Sequence, residues 1–159
     1  MNPDQLIQHY KMEKHPEGGA FLETYRSPLS ATFEGFSGDR ACSTGILFLL
    51  QQGEISAFHK IKSDEMWHFY LGEPLEVIEI DLTGRLIRTI LGSDILQGQH
   101  LQYTVKAGHW FASHSLGKFS LVGCTVAPGF DFQDFVMAKR SQLVSEYPQH
   151  QEPITKFTY

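Results

Sequence analysis

From Ala20 onward the chain alternates with a period of two: Phe21, Glu23 and Tyr25 fall on one face, and Leu22, Thr24 and Arg26 on the other. Short β-rich segments then recur at near-regular spacing: Ser43-Leu50, Glu54-Lys60, Glu65-Leu71, Leu75-Asp81, Arg85-Leu91, Leu101-Lys106, Trp110-Ser115 and Phe119-Ala127. Between them Gln52-Gly53, Gly72-Glu73-Pro74, Thr83-Gly84, Ala107-Gly108 and Leu116-Gly117 each supply a residue that reverses the chain. Strands without intervening helices predict an all-β sandwich, jelly roll or closed barrel. A helix precedes them, because Asn2 caps, Pro3 suits the first helical position, Gln5 completes a capping box, and Leu6, Ile7 and Tyr10 share a face. Ser141-Tyr147 is weakly helical, and the polar stretch through Pro148 and Pro153 is expected to pack peripherally or fray. The Ser- and Gly-rich run from Ser27 to about Arg40 reads as an Ω-like rim or lid.

Composition narrows the picture. At 159 residues there is room for one domain, with no linker or repeat. No apolar run reaches the ~20 residues that span a bilayer, so no membrane partner is expected. The first residues, Met1-Asn2-Pro3-Asp4-Gln5, lack the basic start and apolar stretch of a secretory signal, which makes the cytoplasm the expected compartment. The net charge of -5 is dispersed, with no basic stripe to neutralise a phosphate backbone, which argues against nucleic acid. Cys42 and Cys124 are too few for a disulfide framework and read as buried free thiols.

The chemistry concentrates between Gly53 and Gly72, where His59, Ile61 and Glu65 follow the spacing of a known pattern. This stretch resembles the first motif of the cupins, in which two histidines one residue apart and a glutamate on the next strand surround a metal. His59 and Glu65 match, while Ile61 stands at the second histidine position. The second motif aligns with Lys106-Ala107-Gly108-His109-Trp110-Phe111, where Lys106 replaces a proline and Phe111 a histidine. The wider chain is similar to small cupins often labelled predicted sugar epimerases. The matching stretches are His15-Pro16-Glu17-Gly18-Gly19, Glu23-Thr24-Tyr25-Arg26-Ser27, Ser63 to Tyr70 and Val122 to Phe132. The resemblance implies a cupin-type jelly roll, a double-stranded β-helix barrel, with short N-terminal and C-terminal helices.

With two of four ligands replaced, no resident cofactor is expected, and His59 and Glu65 leave at most a weak, unselective metal site. Strand parity turns His68 away from the interior, and His109 and His114 are weaker substitutes. What remains is an apolar cup for a small-molecule ligand, lined by Phe58, Ile61, Trp67, Phe69 and Phe111, with His59 and Glu65 as polar tips. A buried His-Glu pair is also what a relic of a metal site would leave. Metal-free sugar epimerases of the superfamily imply a barrel histidine as base and a tyrosine as acid. Here that makes His59 the candidate base, Glu65 its orienting partner, and Tyr25 or Tyr103 the acid. Lys62 is a candidate to bend over the mouth, whereas parity puts Lys60 and Arg26 on the solvated face and Ser56 and Ser63 are ordinary strand-edge residues.

Two readings of function follow, and a third stays open. One is a metal-independent epimerase or isomerase acting on a sugar or sugar-nucleotide carbonyl compound, the other a non-catalytic small-ligand binding or sensing cupin. The third is a metal-dependent cupin enzyme with an incomplete ligand set. The segment Ala127-Pro128-Gly129-Phe130-Asp131-Phe132 reads as a plug at one barrel end or else a dimer contact, and a homodimer is expected with Phe21 to Arg26 contributing.

Overall fold

A computed structural model describes all residues, Met1–Tyr159. Helix α1 (Pro3–Tyr10) carries the expected capping box, with the Asn2 side chain accepting from the Gln5 backbone and Gln5 reaching back to Asn2. In chain order there follow β1 (Glu13–Lys14), β2 (Ala20–Arg26), β3 (Ser30–Thr32), β4 (Asp39–Ala41), β5 (Thr44–Gln51), β6 (Ile55–Lys60), β7 (Asp64–Gly72) and β8 (Leu75–Ile80). They continue as β9 (Leu86–Leu91), β10 (Gln102–Val105), β11 (Trp110–Ser115), β12 (Phe119–Ala127) and β13 (Val136–Met137), and the chain ends in α2 (Arg140–Glu146) and α3 (Gln151–Lys156).

Six strands form one sheet in the order β1-β2-β5-β12-β7-β10, and five form another in the order β13-β6-β11-β8-β9. Pairing within both is antiparallel, and from β5 onward successive strands switch sheet except at the β8–β9 hairpin, so neighbours such as β5 and β12 or β6 and β11 are distant in sequence, which is the jelly roll. Phe48, Trp67, Val77, Val105, Phe111 and Val122 fill the space between the sheets. The outer faces are covered as well. Leu6 of α1 and Met12 pack on Leu49 and Leu121, while Leu143, Ile154 and Phe157 of the C-terminal segment cover Phe58, Ile78 and Ile80. Strands buried on both faces explain why Ile46-Leu47-Phe48-Leu49-Leu50 is continuously apolar.

Two sequence expectations change. The run from Ser27 to Arg40 is a small β3–β4 hairpin, not an Ω-like rim, and Arg40 anchors it through a two-pronged ion pair to Asp134 at 2.8 and 3.0 Å, both side chains buried. The C-terminal stretch does not fray: Ile154 and Phe157 are fully buried, and the Arg140 guanidinium bonds both Thr158 Oγ1 and the Thr158 carbonyl. A polar segment docks here because Leu143, Ile154 and Phe157 turn onto the apolar outer face of β6, β8 and β11 and bury it.

Candidate functional site

The barrel holds a cavity of about 260 Å³ that opens to solvent. Its wall comprises His15, Glu17, Phe21, Glu23, Arg26, Thr44, Ile46, His59, Ile61, Glu65, Cys124, Val126, Phe130, Asp131 and Phe132. Of the residues named from sequence, His59, Ile61 and Glu65 meet there.

A bulge decides who else faces inward. Along β2, Glu23 pairs with Ile46, Tyr25 with Gly45 and Arg26 with Thr44, so one extra residue interrupts the register at Thr24. The alternation slips by one. Arg26 therefore joins Phe21 and Glu23 on the cavity wall, and Tyr25 turns outward to 53 % exposure. Arg26 stays solvated, as expected, with its side chain 45 % exposed at the cavity mouth, but on the face that sequence parity gave to Tyr25, and the acid role for Tyr25 fails for this reason.

The other candidates lie elsewhere. Phe58 points to the opposite face of β6 from His59 and meets Phe157, with ring centroids 6.5 Å apart. Trp67 and Phe69 do face the space between the sheets, but in the packed core and away from the cavity wall. Phe111 lies beneath the His59 ring, centroids 4.1 Å apart, and supports it from outside the wall. The Tyr103 hydroxyl is held by Glu79, which also binds His109 Nδ1, a polar clasp between the two sheets. Lys62 donates to the Gly35 carbonyl at 3.2 Å on the β3–β4 hairpin, and so does not cover the mouth. His68 bonds Thr125 and Gln102 on the outer sheet face, as parity requires.

The residue that sequence reasoning passed over is Glu17. It sits in the turn between β1 and β2, where Gly18 and Gly19 take φ of 111° and 76° and the Glu17 carbonyl accepts from Ala57 N–H at 2.8 Å. The turn thrusts its carboxylate into the barrel, where it accepts from Ser56 Oγ at 2.8 Å and meets His59 Nε2 at 2.8 Å. Ser56 reaches the interior through another register shift, since Phe111 pairs with His59 but Ser113 with Ser56. Ser56 is thus a fixed partner of the site and not an ordinary edge residue. The only sequence signal for Glu17 was its place in the His15 to Gly19 stretch.

Hydrogen bonding sets the protonation states. His59 Nδ1 faces the Ala57 carbonyl at 2.7 Å and Nε2 faces the Glu17 carboxylate, so each nitrogen meets an acceptor and the ring is an imidazolium. Burial alone would lower the His59 pKa, but Glu17, then Glu65 and the Ala57 carbonyl, outweigh it and raise it. Burial would likewise raise Glu17, and the His59 cation with the Ser56 hydrogen bond holds it below its usual range. His15 Nδ1 accepts from Glu17 N–H at 3.3 Å, and burial lowers its pKa, so the ring is neutral. The 3.5 Å approach of the Glu17 carboxylate to that same nitrogen is therefore a contact and not an ion pair.

Glu65 differs from Glu17. Burial, followed by the nearby Glu17 carboxylate, pushes its carboxyl up to about 7, against opposing pulls from His59 and the Cys124 thiol. Cys124 is buried, and burial together with the two glutamates keeps it a thiol.

This donor set does not fit the metal cage of the motif. Both His59 nitrogens are committed to protein acceptors, and Ile61 and Phe111 present only carbon. Ligation through His59 would have to break the Glu17 or the Ala57 contact.

Comparison with known proteins agrees with this architecture. Residues 4–138 match the family described as Cupin superfamily (DUF985). The yeast (Saccharomyces cerevisiae) protein YML079W, described as uncharacterized, is 32 % identical over 150 residues, covering 85 % of this chain and 74 % of that protein. The crystal structure of SO0799 from Shewanella oneidensis is similar at a TM-score of 0.92 and 38 % identity, covering 100 % of this chain and 98 % of that one. A hypothetical protein from Leishmania major gives 0.94 and 32 %, with 100 % and 99 % coverage. Oxalate decarboxylase from Bacillus subtilis, at 12 % identity and a TM-score of 0.57 over 91 % of this chain and 36 % of that one, shares the fold alone. With the matched family spanning most of its length and the jelly roll on which that family is built, the chain belongs to the cupin superfamily, in the DUF985 family.

Proposed function

We propose that this cupin binds a small carbonyl compound, a sugar or close relative, in the barrel cavity and moves a proton at the carbon beside the carbonyl, as a metal-independent epimerase or isomerase. One observation carries the reading: one cavity holds both a fixed cation, the His59 imidazolium pinned by Glu17 and Ala57, and a buried carboxyl, Glu65, that no cationic side chain pairs. A carboxyl that titrates near neutrality exists in both forms at working pH, so it can take a proton from the carbon beside the carbonyl and deliver it to the former carbonyl carbon, the net step of an isomerisation. The imidazolium supplies positive potential to the oxygen that gains charge as the C–H electron pair moves into an enolate. These roles reverse those drawn from sequence: Glu65 transfers the proton, His59 stabilises charge, and Glu17 orients His59.

The test is solvent exchange. Candidate aldoses and ketoses are incubated with the protein in D2O, and loss of the C–H signal beside the carbonyl is followed by NMR. Exchange should rise through about pH 7 as Glu65 ionises and disappear in Glu65→Gln. A sugar that binds saturably without exchanging would sink the enzyme reading and leave a small-ligand binding cupin. We further propose the cytoplasm as the compartment, in keeping with two unpaired cysteines, and a homodimer as the assembly.

A further inference from the structure

We propose that the cavity selects an uncharged or amine-bearing compound of monosaccharide size and rejects phosphorylated, carboxylated and nucleotide-linked sugars, with Glu23 as the residue that sets this preference. The inference rests on the cavity being the substrate site, and it narrows the substrate class.

Two cationic side chains reach the cavity wall, and carboxylates of this same chain already hold both. Arg26 presents Nε and Nη2 to the two oxygens of Glu23 at 2.9 and 2.8 Å, and Nη2 also donates to the Phe130 carbonyl at 3.1 Å. That fork is the geometry with which an arginine would grip a phosphate or carboxylate, and Glu23 occupies it. His59 is engaged by Glu17 at 2.8 Å. His15, the other wall imidazole, is neutral, its Nδ1 accepting from Glu17 N–H. The lysines near this end are turned away, Lys60 over the Trp110 ring at 4.5 Å and Lys62 onto the Gly35 carbonyl.

After these pairs cancel, the wall retains Asp131 and Glu65, both acidic. An arriving anion would find the Arg26 fork filled by Glu23 and His59 held by Glu17, with Asp131, and Glu65 in its ionised form, adding like charge that disfavours binding. Hydroxyl or ammonium groups meet the opposite situation, because carboxylates accept from both. Size points the same way. A cavity of about 260 Å³ lies below the ~300–1,000 Å³ of sites for drug-sized ligands, room for a monosaccharide, so a nucleotide linked to it would have to project from the mouth past the Glu23–Arg26 pair.

The experiment measures binding by calorimetry and ligand-observed NMR, with no turnover required. Inorganic phosphate, a panel of neutral hexoses and hexosamines, and the matching hexose 6-phosphates are titrated into the wild-type chain, Glu23→Gln, and the double variant Glu23→Gln/Arg26→Gln. Phosphate should bind Glu23→Gln at least roughly tenfold more tightly than it binds wild type, because the Arg26 fork is released, and the double variant should lose that gain. Any hexose that binds wild type should do so more tightly than its 6-phosphate. Wild type preferring a hexose 6-phosphate over the free hexose would overturn the proposal, as would a natively folded Glu23→Gln with no gain in phosphate affinity. Failure of solvent exchange leaves these arms intact, whereas a preferred hexose 6-phosphate that does exchange removes this inference alone.

Discussion

Glu65 and Glu17 are both buried carboxyls in one cavity, and their surroundings drive them in opposite directions. For Glu65 the folded pKa, about 7, lies above the ordinary 4.5, so its contribution to stability is complete below 4.5 and is lost as pH rises to about 7. A shift of that size corresponds to ~3 kcal/mol. Replacing Glu65 with Gln removes the titration while keeping shape and hydrogen-bonding capacity. Urea denaturation should therefore find Glu65→Gln gaining about 3 kcal/mol relative to wild type between pH 4.5 and 8. A difference that stays flat over that range would contradict the assignment. The Glu17–His59 pair runs the other way. Its Glu17 half is lost as pH falls through a value below 4.5, and its His59 half as pH rises through a value above 6.5, so the pair stabilises across the interval between. Glu17→Gln strands a buried imidazolium without its counter-charge, at a cost of about 3–5 kcal/mol wherever the ring stays protonated. With the strongest pull against burial removed, the His59 ring, followed by NMR, should titrate lower than in wild type. Titration unchanged from wild type would show that Glu17 is not what holds the cation.

At the scale of elements, the Gly18 turn is what makes Glu17 a site residue. Gly18 has φ +111°, and a Cβ there would lie 1.9 Å from the Ile55 carbonyl oxygen and 2.6 Å from Tyr159 Oη. Gly18→Ala is expected to cost about 2–4 kcal/mol in chemical denaturation and to shift the His59 ring signals as Glu17 is displaced. Gly35→Ala is the control: its φ is +84° with nothing within 4 Å, so it should cost only ~1 kcal/mol, for backbone conformation alone, and leave His59 untouched. Equal losses at the two positions would remove the packing argument. The same elements show what could be read from sequence. The main strands were legible because turn residues bracket each apolar run, and Trp110–Ser115 and Phe119–Ala127 match to the residue. Inward orientation of His59, Ile61 and Glu65 followed from the motif. Bulges were not legible, since one extra residue at Thr24 leaves composition and hydropathy unchanged yet exchanges Arg26 for Tyr25 on the wall. Nor was the Glu17–His59 contact, because a turn distant in sequence delivers it through backbone geometry that alternation does not encode.

On the whole molecule, covering is uneven. The second sheet is capped by the C-terminal helices, but the outer face of the first sheet is capped by α1 over only part of its area. Beyond α1 that face shows Tyr25 and Tyr70, each 53 % exposed, and Met66, with Gly45 and Gly123 between them. The edge beside it is also incomplete, since β1 pairs only with Ala20 and Phe21 and leaves β2 from Leu22 to Arg26 without a neighbour on that side. Proteins rarely leave a strand edge bare next to exposed aromatics, and a second copy paired about a two-fold axis along β2 would cover both. The net charge of -5 is small enough for such an association. Light scattering coupled to size exclusion should give the mass of a dimer for wild type at micromolar concentration. Tyr25→Asp places a charge at the centre of this surface without touching the cavity, so it should yield a folded monomer whose far-UV circular dichroism matches wild type. A wild-type chain that runs as a monomer would remove the dimer, and a Tyr25→Asp chain that stays dimeric would move the contact off β2, to the Ala127-Phe132 turn or another face.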